Sequence, residues 1–259
     1  RLGLNLHLTA QETAERVQYL HEKGFVCPGL DCEGNWGLQG PVFYMAGRLM
    51  GDPHQDYKAV VEEYCRGVYG KAAGPMLEFF ERLEARLSEF IPISKNDIAA
   101  DGRNIFLPRW MKTPDIFLAQ YPPVFLAQIE ALIQKAEKDA DTERTQGWVR
   151  LSRDQFDFIK LLTQMLISHR AWQANATPEN WLEMKNRVEV FEAYRLKIVS
   201  YTKEYTDVWW PGHGTFCKWL TANLDDTGIA FYVPWEDRKA VVTKEGLKGR
   251  AMGYGTSYY

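Results

Sequence analysis

From Gly40 to about residue 205 the apolar residues of this chain recur at helical intervals, and helix packed on helix is the architecture that buries such a pattern. The clearest stripe is Met76, Phe80, Leu83, Leu87 and Phe90, spaced four, three, four and three. Glu78, Glu81, Glu84, Arg82 and Arg86 fall beside it and read as a solvated face, with Glu78 and Arg82 one turn apart. An earlier helix runs from about Val42 to Met50. Asp52-Pro53 then reads as cap and first turn of a helix that carries Val60, Val61, Tyr64 and Val68 and ends near Gly70. Residues 92 to 114, with Pro92, Asn96, Asp97, Asp101, Gly102 and Pro108, read as a long irregular loop. Pro122-Pro123 opens a helix striped by Phe125, Ile129, Leu132 and Ala136. The segment from Trp148 to Trp172 is apolar on more than one face, which predicts a central helix. Thr177-Pro178 starts the last one, with Met184, Val188, Phe191 and Ile198.

The two ends have a different character. Residues 2 to 8 alternate, which suggests a strand. Thr9 and Glu12 have capping-box spacing, Ala14, Val17 and Leu20 continue a helix, and Gly24 is a stop. Phe25 to Asp31 reads as a second strand, with Pro28 at a bulge or edge. The tail from Asp207 is rich in Trp, Tyr and Gly, with strand candidates at 229–233 and 240–243. The expected fold is therefore mostly α: a helical bundle preceded by a strand–helix–strand unit and followed by a short β-containing tail. Three segments follow, 1–40, 41–206 and 207–259. Two strands do not make a stable parallel sheet alone, so the first segment calls for further strands.

Composition narrows the function. The chain is 46% hydrophobic and 25% charged, an ordinary globular balance, and its net charge of −3 gives no electrostatic case for nucleic acid. No apolar run is long enough to span a bilayer, and no signal peptide is visible. The first residue is Arg1, so a processed or truncated product is expected. Cys27, Cys32, Cys65 and Cys217 lack the paired spacing of a zinc site and read as buried thiols, although a turn at Pro28-Gly29 leaves a Cys27–Cys32 bridge open. The five histidines lack ligand spacing, and no phosphate-binding glycine loop or serine elbow occurs, so neither metal nor cofactor is expected.

The chemistry concentrates in Leu30-Asp31-Cys32-Glu33-Gly34-Asn35-Trp36-Gly37-Leu38-Gln39-Gly40-Pro41, read as a loop between strand and helix. Ligands of α/β folds sit at that junction. Asp31 and Glu33 are two apart and share a side of an extended chain. A carboxylate pair about 5 Å apart serves retaining glycoside cleavage, and a wider pair serves inverting cleavage. The alternative is loop acids that cap the next helix or pair with an arginine. Trp36 stacks on a sugar or covers the junction. Asn35 binds hydroxyls or holds a turn. Tyr44, one to two turns into the helix, reaches the same pocket or packs in the core. His7 ends the first strand-like run, at a barrel-rim position or simply on the surface. Trp209 and Trp210 line a groove or pack under the tail.

The stretch from Gly34 to Pro53, with its Trp-Gly, its Tyr-containing helix and its Leu-Met-Gly-Asp-Pro turn, resembles a bacterial domain-of-unknown-function family numbered 4838. The Tyr64-to-Ala73 run, ending Tyr-Gly-Lys-Ala-Ala, is similar to the family's helix ending. The helix from Tyr121-Pro-Pro-Val-Phe-Leu and the one from Arg150 to Arg170 also fit. The resemblance covers about residues 10 to 205. It implies a glycoside-hydrolase-like (β/α)₈ barrel followed by a helical domain, usually exported and so secreted or periplasmic. Residues 1–40 would then be the last part of the barrel, with the remainder of that barrel as partner. The function expected is carbohydrate-active: the C-terminal part of an enzyme on a polysaccharide or oligosaccharide. The competing readings are a non-catalytic glycan-binding module and a helical scaffold.

Overall fold

The computed structural model describes residues 8–25, 36–101 and 117–202. These residues are 88% helical, with seven α-helices and no strand among them. The helices are α1 (Ala10–Glu22), α2 (Trp36–Gly51), α3 (Tyr57–Tyr69), α4 (Ala73–Asp101), α5 (Pro123–Asp139), α6 (Glu143–Ala174) and α7 (Pro178–Thr202). The fold described is a helical bundle.

Local chemistry sets the boundaries. Thr9 caps α1 by accepting from Glu12 N at 3.1 Å, and Gly24 leaves the helix at φ +81. Gly70, at φ +54, turns α3 into α4 through a 3₁₀ turn. Pro123 occupies the first turn of α5, where its missing N–H costs nothing. Thr142 and Thr145 close a reciprocal capping box on α6.

α6 is the central helix. Phe156, Phe158, Ile159, Leu162 and Met165 are buried along it, and the helix packs on α2, α3, α5 and α7. The Phe156 ring meets Phe79 of α4 nearly edge-on, with centroids 6.1 Å apart. Each such ring contributes about 1.5–3 kcal/mol through burial. A second, smaller core joins Ala10, Ala14 and Val17 of α1 to Val42, Met45 and Leu49 of α2 and Val60 and Val61 of α3.

Four expectations need correction. α3 is capped by Asp56, whose side chain accepts from Lys58 N; Asp52 instead accepts from His54 N and closes a turn. α4 runs on to Asp101, so residues 92–101 are helical and not loop. Apolar residues continue at Leu87, Ile91 and Ile98, four and seven apart, a spacing that carries the helical pattern past Pro92. α2 begins at Trp36, five residues before Pro41, so residues 36–41 are helix. Glycines at 37 and 40 suggested a loop, but there they serve close helix packing. Glu84 does not lie on the solvated face; its place is described below. The strands expected at 2–8 and 25–31 and in the tail fall outside the described residues, apart from Leu8 and Phe25, which are not in strands. The boundary at 40/41 falls inside α2.

One topological fact positions the site. Gln39, in the first turns of α2, donates to the Leu8 carbonyl just ahead of α1, at 3.1 Å. At the other end, Gln18 of α1 donates to the Pro53 carbonyl just beyond α2, and the His21 and His54 rings meet at 5.9 Å. Start lies by start and end by end, so α1 and α2 run side by side in the same direction.

Candidate functional site

Of the residues that carried the sequence reading, Trp36 and Tyr44 fall among the described residues, both on α2. Trp36 is its first residue, half-buried, with its ring edge-on to Phe43 at 5.4 Å. The Phe43 contact satisfies part of the packing role while part of the Trp36 side chain stays accessible. Asp31, Glu33 and Asn35, His7 at the start of the chain, and Trp209 and Trp210 in the tail lie outside the described residues. Chain continuity puts Asn35 one residue and Glu33 three residues before the helix start.

Two glycines seat this helix end. A Cβ on Gly37 would lie 2.6 Å from the Leu151 carbonyl oxygen and 2.6 Å from Oε1 of Gln155, both on α6. A Cβ on Gly40 would lie 2.2 Å from the Tyr64 hydroxyl oxygen on α3. The backbone of α2 is therefore pressed directly onto its neighbours, and the Trp36 ring lies back along the helix, its Cε3 3.7 Å from a Cβ placed on Gly40. α2 carries no acidic residue in its first turn, so the partial positive charge of its N-terminus is not offset from within the helix.

Tyr44 lies eight residues on, roughly 12 Å along the axis. It belongs to the α2–α3 interface. Its hydroxyl donates to Glu63 Oε1 at 2.6 Å and accepts from Arg48 at 2.9 Å, while Arg48 reaches Glu63 at 2.6 Å and Gln55 at 3.1 Å. Hydrogen bonds from Tyr44 and Arg48 hold the Glu63 carboxyl below its ordinary range. Tyr44 and Trp36 are thus not brought together.

Two residues that matter here were missed. Gln39 is buried and ties the chain ahead of α1 to α2. Glu84 of α4 accepts from Ala10 N at 2.8 Å, across 74 positions of sequence, and so caps α1 from another helix. Both were legible in part. Gln39 is a lone amide among Leu38, Gly40, Pro41 and Val42, and Glu84 stands four after Phe80 and three before Leu87, on the edge of the apolar stripe.

Elsewhere, a shallow groove of about 280 Å³ lies between the far ends of α1 and α2, lined by Val17, His21, Phe25, Leu49 and Pro53 among others. It is remote from Trp36. Among the described residues no group of three or more His, Cys, Asp or Glu is placed to hold a metal ion. No helix among them is long and apolar enough to cross a membrane. Cys65 is a free, buried thiol, its pKa pushed up to about 12 by burial and then by the acids Glu81, Glu62 and Glu84. Cys27, Cys32 and Cys217 are outside the described residues.

No family model, no curated protein and no solved structure matches the chain.

Proposed function

We propose that this chain is the closing part of a glycoside-hydrolase-like barrel with its helical domain, and that Glu33, with Asp31, Trp36, Asn35 and His7 nearby, forms part of a carbohydrate site. The observation that carries this reading is the parallel pairing of α1 and α2. Parallel neighbouring helices need a connection that returns along the length of the first. α1 has 13 residues and is about 20 Å long, which about six extended residues cover at ~3.3 Å each. Of the ten residues 26–35, a strand over 26–31 would make the return and leave 32–35 as a loop. In such βα units the active site lies at the carboxyl ends of the strands, which is where the following helices start. The Gln39–Leu8 hydrogen bond ties the residue ahead of α1 to the first turns of α2.

In this reading the carboxyl groups do the acid/base and nucleophilic work of glycosidic cleavage, and the accessible part of Trp36 stacks on a sugar ring. The N-terminus of α2, with no acid in its own first turn, favours an ionised carboxylate close to it, which suits the nucleophile or base of the pair. A second acid would come from the remainder of the barrel. The secreted or periplasmic setting is proposed from the sequence resemblance alone.

The test is Glu33→Gln in the protein carrying the whole barrel, assayed on a panel of oligosaccharides. Loss of hydrolysis with unchanged helical circular dichroism is expected. Unchanged turnover would refute the assignment. Glycan binding by the wild type with no product formed would instead mark a non-catalytic module.

A further inference from the structure

We propose that His21 and His54 hold a divalent transition-metal ion at the paired ends of α1 and α2. The two histidines are far apart in sequence, so no local spacing links them; the parallel run of the two helices brings them together. Their ring centroids lie 5.9 Å apart, with the planes at 90°. A ligating imidazole nitrogen sits ~2.1 Å from zinc and its ring centre ~1.2 Å further out, so two imidazoles on one tetrahedral ion have centres ~5.4 Å apart. The observed separation is close to that value. Among the described residues neither ring makes a hydrogen bond or an ion pair, so the nitrogens are open to a ligand. Both residues are exposed, and the second side-chain torsion of histidine turns over a broad range, so each ring can swing a nitrogen toward the shared point at little cost.

The backbones beneath the rings are fixed beforehand. His21 stands in the last turn of α1. One turn earlier on the same helix, Gln18 donates to the Pro53 carbonyl at 3.1 Å, and Pro53 is buried immediately ahead of His54. The Asp52 carboxylate accepts from His54 N at 3.1 Å and closes the turn. The tie from α1 therefore lands beside His54, and an ion meets two ligands already in place. The surroundings suit a cation. The C-terminal ends of α1 and α2 lie side by side, and each carries partial negative charge. Of the cationic side chains at these helix ends, Arg48 is engaged by Glu63 and Gln55, and Lys23 stands over the Tyr19 ring. His21 also lines the groove of about 280 Å³ between the ends, which leaves room for the rest of the ion's shell. No third His, Cys, Asp or Glu among the described residues completes the set, so water fills the remaining positions and the ion is held in the micromolar range. Imidazole nitrogens select Cu²⁺, Ni²⁺ and Zn²⁺ over Mg²⁺ and Ca²⁺, which take oxygen ligands. The site is at the opposite end of α2 from Trp36 and does not depend on the carbohydrate reading.

Zinc chloride titrated into the full chain tests it, read by calorimetry and by proton–nitrogen-15 spectra of the imidazoles. One ion per chain is expected, with the His21 and His54 ring signals moving together and saturating. Magnesium chloride should leave both in place. His21→Ala and His54→Ala, at exposed positions, should each weaken zinc binding about tenfold or more with unchanged helical circular dichroism. Ring signals that millimolar zinc does not move would overturn the proposal. So would zinc binding that both substitutions leave intact, which marks a site elsewhere on the chain, and a loss in only one variant, which marks a single-histidine contact.

Discussion

Replacing Gly37 with alanine tests how the start of α2 is held. At an open helical site, Gly→Ala stabilises by about 1 kcal/mol, because alanine loses less backbone entropy. Gly47, on the same helix, is such a site: it is exposed and nothing lies within 4 Å of an added Cβ. Gly37 is the opposite case. Its Cβ would stand 2.6 Å from a backbone oxygen of α6, where ordinary contact begins at 3.4 Å. The Gln155 side chain can swing aside, but the Leu151 carbonyl cannot move without parting α2 from α6. Overpacking of this kind costs about 1–3 kcal/mol, and a rigid backbone obstacle belongs at the upper end. After the helix-propensity gain, a net loss of about 2 kcal/mol is expected. Urea denaturation should show Gly47→Ala more stable than the wild type and Gly37→Ala less stable. In melting temperature the difference between the two variants should be about 6–12 °C. If Gly37→Ala matches Gly47→Ala, the start of α2 does not press on α6.

Other expectations follow from single contacts. Gly40→Ala should destabilise through its 2.2 Å approach to the Tyr64 hydroxyl oxygen, and adding Tyr64→Phe should recover part of the loss in a double-mutant cycle. Phe156→Ala should cost about 3–5 kcal/mol in urea denaturation, since the ring is fully buried against Phe79. Thr142→Ala should cost about 1 kcal/mol by loss of the α6 capping box. Lys160, and with it Arg153, holds the Glu130 carboxyl below its ordinary range. Its contribution is therefore present above about pH 4.5 and is lost as pH falls through the lowered value, so Glu130→Gln should flatten the acid limb of stability measured against pH.

Most of the helical part was legible because burial writes a period into the sequence. Met76, Phe80, Leu83 and Leu87 are buried as their spacing required, and the two-sided pattern of Trp148 to Trp172 marks the helix at the centre. Boundaries were harder where glycine and proline act against their usual sense. Gly37 and Gly40 look like loop residues, yet they sit inside a helix because neighbouring helices come too close for a Cβ. Pro92 reads as a break, yet α4 continues past it. Glu84 was assigned to water because local charge pattern says nothing about a helix 74 residues away. The candidate site was legible only as a cluster in sequence. The parallel run of α1 and α2, on which the proposal for that cluster rests, depends on contacts between Gln39 and Leu8 and between Gln18 and Pro53 that no periodicity announces.

The most direct measurement follows the Trp36 indole N–H by NMR, assigned through Trp36→Phe, while oligosaccharides are titrated into the protein. A saturable shift of that resonance, with binding weakened in the Trp36 variant, is the predicted result. A Trp36 signal that no glycan moves, even when other resonances respond, would contradict a sugar site at the start of α2.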